Sequence, residues 1–234
     1  SSIFNTTASA NPCSKIILCL RSDMLNVLNK SSTNLNKYLA DGEVQLYWGG
    51  QIESQYNHVL MDMIINKIKG SIVEYKNETN EKIYNRFFPE KVDGGKTVVE
   101  YLLDRSFERP RDIIMYLNIV KRDNPKATFF SATMLKNAFP AYATRFLGEI
   151  QNELALYYEK DMIDEFFDLL AQFKKTIFTY SEINFFYQTN RERYSHILSI
   201  DEFLDIMYRF GVVGNTWKTG RKQPRHFTFH FQRY

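Results

Sequence analysis

Apolar positions along the chain follow two different rhythms. Residues 15–20 (KIILCL) carry a near-continuous apolar run closed by Arg21-Ser22-Asp23, the pattern of a strand buried on both faces, usually in a parallel sheet. Residues 44–48 (VQLYW), closed by Gly49-Gly50, form a second short strand candidate. A lone buried strand has no hydrogen-bonding neighbour. The two are therefore expected to be the last strands of an α/β sheet whose earlier strands lie outside this sequence. Between them, Ser22 or Asp23 can cap a helix through Leu28, and the Asn/Ser-rich stretch 29–36 reads as a loop. The chain begins Ser1-Ser2-Ile3-Phe4 and reaches its first strand pattern after a polar stretch, so it is expected to be a piece of a longer protein.

From residue 52 the period becomes helical. Ile52, Tyr56, Val59, Leu60, Met63, Ile64 and Ile68 predict an amphipathic helix over 52–68, stopped by Gly70. Residues 74–96 are mostly polar, with breaks at Phe87-Phe88-Pro89 and Gly94-Gly95. A helix starts over 98–103. Pro110 sits where the next can begin, because proline at the first helical position gives up only an N–H that has no partner there, and a helix over 111–120 follows. Long helical patterns cover 131–158 and 161–173.

Thr179-Tyr-Ser-Glu182 and Ser199-Ile-Asp-Glu202 have the spacing of capping boxes and open helices over 183–188 and 203–210, the second ended by Gly211. Val212-Val213, a polar turn over 218–224 and an alternating segment over 226–231 then predict a β-hairpin. In it Phe227, Phe229 and Phe231 share one face, and His226, Thr228 and His230 the other. Helices followed by a hairpin in this order describe a winged helix. The fold class expected is mainly α with minor β.

With 44% hydrophobic and 24% charged residues the chain can bury a sizeable core, and most of its 19 Phe and 15 Tyr are accounted for by helix packing. A net charge of +3 is too small for the whole molecule to act as a polyanion-binding surface, so any nucleic-acid site must be local. Cys13 and Cys19 form no CxxC pair and no zinc set, as expected of a reduced, intracellular chain. No apolar run approaches the roughly 20 residues that span a bilayer, and no secretory signal layout opens the chain, so a cytoplasmic location and no membrane contact are expected.

Three segments together resemble the C-terminal half of bacterial P-loop ATPases of the AAA+/STAND type, and among them the FunZ-like proteins: KIILCLRSD at 15–23, LYW at 46–48 and RPRDIIMYLN at 109–118. The third is the most specific. The resemblance covers most of the chain, more loosely after Pro125. It implies a remnant of the P-loop sheet over 1–50, a helical lid over 51–125, and a helical segment with a winged-helix domain over 126–234. It further implies a sensor-1-like role for Arg21 and a sensor-2-like role for Arg109 and Arg111, with Arg111 facing nucleotide phosphates from the lid. A preorganised guanidinium stabilises charge moving on transferring phosphates, with a planar fork lysine lacks. The resemblance also implies ATP and magnesium in the full-length parent, although no GxxxxGK[ST] and no apolar strand ending in paired acids occur here. The fragment alone is expected neither to hydrolyse ATP nor to bind it tightly. Gly94-Gly95-Lys96-Thr97 has the ending of a phosphate loop but neither its first glycine nor a preceding buried strand, so it reads as a loop.

Residue chemistry leaves alternatives beside the resemblance. Arg109 and Arg111 can form helix-start ion pairs with Asp104, Glu108 or Asp112, and Arg21 can pair with Asp23. The hairpin turn carries Lys218, Arg221, Lys222 and Arg225 beside Trp217, a basic and aromatic wing able to lie along a phosphate backbone. Against that use, the helix in the recognition position opens with Asp201, Glu202 and Asp205, which repel phosphate, while Arg191 and Arg193 in the preceding loop make the patch mixed. Contact with protein, whether the parent's own ATPase core, another partner or an oligomer neighbour, is the preferred reading, and nucleic-acid binding the alternative. His226 and His230 have no cysteine or paired carboxylate beside them to complete a metal site.

Overall fold

The computed structural model describes residues 17–20, 25, 28, 44, 46, 48–49, 52, 54–218 and 226–229. The chain divides into two compact units, Ser1–Leu46 and Tyr47–Tyr234. From residue 54 onward the described residues form eight α-helices, two short 3-10 helices and one short hairpin, and are mainly α with minor β.

In the first unit the expected buried strand is not formed across residues 17–20, which have no regular structure. Ile17 is 86% and Leu18 67% exposed. The second candidate strand is likewise absent at Val44, Leu46 and Trp48, the first two also exposed. An apolar run becomes a buried strand only when neighbours complete its hydrogen-bond ladder, and no described strand lies beside either run. Arg21 lies outside the described residues, as does most of the helix expected through Leu28, of which Leu25 and Leu28 are helical.

In the second unit, α1 spans Val59–Ser71. It starts later than the period predicts because His58 caps it, Nδ1 accepting the Leu60 N–H at 3.3 Å, while residues 54–57 form a turn. Ile52 and Tyr56 still pack on the core from outside the helix. Gly70 does not end it; the chain turns extended at Ile72. Helix α2, Asn80–Phe87, rises from the stretch expected to be polar coil, and Thr79 caps it. Its mean polarity hides a buried pair, Ile83 and Tyr84.

Helix α3, Val98–Leu103, opens with a capping box between Thr97 and Glu100. Gly94-Gly95-Lys96-Thr97 is thus a turn and a cap: Val92 N–H reaches Lys96 O at 2.8 Å, and Lys96 pairs with Asp104. Helix α4 is Pro110–Asp123, with Pro110 in the first turn as expected. Helix α5, Ala132–Leu154, runs through Pro140. Proline removes the bond to the Lys136 carbonyl, a cost of about 3 kcal/mol, yet the helix persists with Ala138 and Tyr142 buried on either side.

Helices α1 to α4 and the first half of α5 enclose one core, in which Tyr84, Tyr101, Tyr116 and Tyr142 are all but fully buried. Tyr116 donates to the Leu135 carbonyl at 2.8 Å and lies 3.2 Å from the Tyr101 hydroxyl, so α3, α4 and α5 are tied by one polar chain inside an apolar core. The second core begins at Ile150 and Leu154 of α5. It adds α6 (Lys160–Phe173), α7 (Tyr180–Thr189) and α8 (Ile200–Arg209).

The Thr179 capping box forms as the spacing predicts. The Ser199 box does not: its hydroxyl accepts the Asp201 N–H at 3.2 Å rather than that of Glu202, and Asp201 itself bonds the Tyr180 hydroxyl. Helix α8 ends at Gly211, whose φ of 71° admits the left-handed turn in which Val212 N–H reaches Met207 O at 2.8 Å. The hairpin follows, with its first strand after Val212-Val213 rather than at them: β1 (Asn215–Trp217) pairs antiparallel with β2 (His226–Thr228), Thr216 opposite Phe227.

Glu182 at the start of α7 accepts from Lys175 Nζ at 2.6 Å, from the Thr179 N–H at 2.7 Å and from the Thr179 hydroxyl at 2.9 Å. These bonds, the lysine's first, bring its pKa from 4.5 down to about 2. A depressed carboxyl pKa contributes stability that is complete above pH 4.5 and disappears as pH falls toward 2. Glu182→Gln is therefore expected to flatten the pH dependence of the urea midpoint across that window; an unchanged slope would remove this cap from the acid transition.

Candidate functional site

The turn before α4 is built to deliver two arginines. Ser106 is buried and its hydroxyl accepts the Glu108 N–H at 3.2 Å, while Glu108 adopts a φ of 55°, unusual for a residue with a side chain. Arg109 is then extended, at φ −102° and ψ 142°, as the position before a proline demands. Asp112, two residues into the helix, is 0% exposed. Its Oδ2 accepts from the Phe107 N–H and from Arg109 Nε, each at 3.0 Å. One carboxylate thus closes the turn, occupies the positive end of α4 and fixes Arg109.

Arg109 also reaches across to α5. Its Nη1 lies 3.4 Å from Glu153 Oε1 and its Nη2 3.9 Å from Glu149 Oε2, and its guanidinium covers the Phe107 ring at 4.8 Å. Phe107 packs edge-on against Phe146 of α5, centroids 4.5 Å apart. Arg111 approaches Glu149 Oε2 at 2.7 Å. The two arginines differ in setting: the side chain of Arg109 is 32% exposed and that of Arg111 58%. Close as Arg111 is, Glu149 Oε2 is buried and receives no directed hydrogen bond, so the contact balances charge without satisfying direction.

Asp112 Oδ1 and the Tyr142 hydroxyl are also buried without a hydrogen-bond partner. Burial, and after it the charge of Asp112, pushes the Tyr142 phenol well above its ordinary pKa, so it stays a neutral donor.

Arg109 and Arg111 lie together at the start of α4, and of the ion pairs the sequence left open for them the structure forms Arg109 with Asp112. It adds Glu149 and Glu153, which lie some forty residues further on. Their four-residue spacing puts both on one face of α5, the only trace of the site that the sequence carries there.

Of the basic residues expected on the hairpin turn, Lys218 is exposed, while Arg221, Lys222 and Arg225 lie outside the described residues, as does His230. Arg193 is held by both oxygens of Asp168 on α6, at 2.8 and 3.0 Å, and Arg191 lies over the Tyr187 ring at 5.6 Å. The acids opening α8 are exposed, with Asp205 paired to Arg209 at 2.8 Å. Among the described residues no cluster of three His, Cys, Asp or Glu side chains could hold a metal, and no helix is long and apolar enough to cross a membrane.

Residues 58–151, from the cap of α1 through most of α5, match the family described as the FunZ-associated C-terminal helical domain. That match supports a FunZ-like family for the segment that holds the arginines. No curated protein and no solved structure matches the chain.

Burial separates the two arginines energetically. Arg109→Ala leaves Asp112 a buried charge without its cation and is expected to cost about 3 kcal/mol, whereas Arg111→Ala removes a half-exposed pair and is expected to cost about 0–1 kcal/mol. Urea denaturation of the two variants compares them directly, and equal losses would contradict the assignment of Asp112 to Arg109.

Proposed function

We propose that this chain is the helical lid and C-terminal winged-helix portion of a P-loop ATPase, which couples nucleotide state to contacts with the parent's own core or with another protein. The observation that carries the reading is the arginine pair at the start of α4, tied to α5, the helix whose two halves lie in two different cores. A phosphate that drew Arg111 away would loosen α5 at Glu149, next to Ile150, where the second core begins, while Arg109 stayed on Glu153. Charge at the nucleotide could thus be read as movement in α6 to α8.

The nucleotide and its magnesium would be held by residues outside this chain. The phosphate-loop-like Gly94-Gly95-Lys96-Thr97 has its functional side chains engaged: Lys96 pairs with Asp104, and Thr97 caps α3. When bound, ATP would supply the phosphate charge that Arg111 answers; the part of this chain is to orient that guanidinium and carry its motion. Within the winged-helix portion, the exposed acids of α8 and the engagement of Arg193 by Asp168 favour a protein partner over a nucleic acid.

In the full-length protein, Arg111→Ala is expected to lower ATP turnover by roughly 10²-fold with the fold retained; unchanged turnover would remove Arg111 from the site. On a random DNA duplex, the chain is expected to bind weakly with a shallow salt dependence. Tight binding that falls steeply with salt and is lost in the Arg221→Ala, Lys222→Ala, Arg225→Ala triple variant would establish the nucleic-acid function instead.

A further inference from the structure

The cluster at the α4–α5 contact holds more acid than base. Asp112, Glu149 and Glu153 face Arg109 and Arg111, which leaves one net negative charge. A polyphosphate approaching these arginines meets carboxylates already in the positions its oxygens would take. One acid must withdraw before phosphate can bind, and the geometry distinguishes which.

Asp112 cannot move, because it is wholly buried and closes the turn through Phe107. Glu153 contacts Arg109, which Asp112 keeps in place whatever Glu153 does. Glu149 meets Arg111, the more exposed of the two arginines, at 2.7 Å and Arg109 only at 3.9 Å, and its Oε2 lacks a directed hydrogen bond. That pair is the cheapest in the cluster to exchange for another anion.

We propose that Glu149 is a phosphate-competitive latch: it holds Arg111 against α5, and a polyphosphate binds by displacing it. The proposal rests on the reading of Arg111 as a phosphate-facing residue and adds to it how the lid is kept closed to anions in their absence. Arg109 is the fixed anchor of the pair and Arg111 the mobile arm. Glu149 is a positioning residue that acts through Arg111.

The test uses the full-length protein, where the proposed phosphate site is complete, and inorganic tripolyphosphate as the probe, with affinity measured by titration calorimetry at fixed ionic strength. Glu149→Gln removes the competing charge with little change of shape and is expected to raise affinity roughly tenfold over wild type. The gain should disappear in the Glu149→Gln, Arg111→Ala double variant, and Glu153→Gln should give a clearly smaller one. Glu149→Ser, with the same expectation, serves as a second variant should the glutamine chain fold poorly.

Equal affinity of wild type and both Glu149 variants, including undetectable binding by all, overturns the latch. So does a gain that survives in the double variant, since it would then report general charge rather than release of Arg111. Failure of the underlying reading shows separately, as full-length ATP turnover that is indifferent to Arg111→Ala.

Discussion

Asp112 has no exposed surface, and a carboxylate so placed is tolerated only with a cation and donors arranged around it. Arg109, the Phe107 amide and the first turn of α4 meet that demand at Oδ2, and each is held there by the local chain: the left-handed Glu108, the extended residue before Pro110, and the proline that opens the helix. The same arginine then reaches Glu153 on α5. Satisfying one buried charge thus sets the turn, the start of α4 and the approach of α5 together.

Helix α5 gives that arrangement its reach. Leu135, Ala138 and Tyr142 belong to the first core, and Ile150 and Leu154 to the second. Phe146 packs against both. Glu149 lies between the two stretches and Glu153 within the second, and both meet the arginines. The half of α5 after Pro140 carries Phe146 and the glutamates and enters the second core. Tyr116, bonded to the Leu135 carbonyl and to Tyr101, fixes the other end of α5 against α3 and α4, so the polar contact at Glu149 is the softer of the two attachments.

Several local features are legible without coordinates because they depend on a few neighbouring residues. Pro110 opens a helix, Thr179 and Glu182 close a box, and Gly211 ends a helix in the left-handed region. Where a cap can choose between partners, spacing misleads: Ser199 bonds Asp201 rather than completing a box with Glu202, and His58 rather than Ile52 sets the start of α1. Helix α2 escapes a reading based on mean polarity because two buried residues, Ile83 and Tyr84, suffice to dock it when Tyr84 stacks on Phe88 and Phe88 on Phe130.

The sequence by itself determined a mainly helical chain with a terminal hairpin and the places where most helices begin. Hydrophobic period, proline and capping chemistry act over a handful of residues, so they are written locally. Only the tertiary structure decided that the two arginines are unequal, that Glu149 and Glu153 face them, and that the apolar run at 17–20 is exposed rather than a buried strand. Each of those depends on what stands opposite in space. A charge acquires its partner, and a strand its ladder, from residues that sequence distance does not identify.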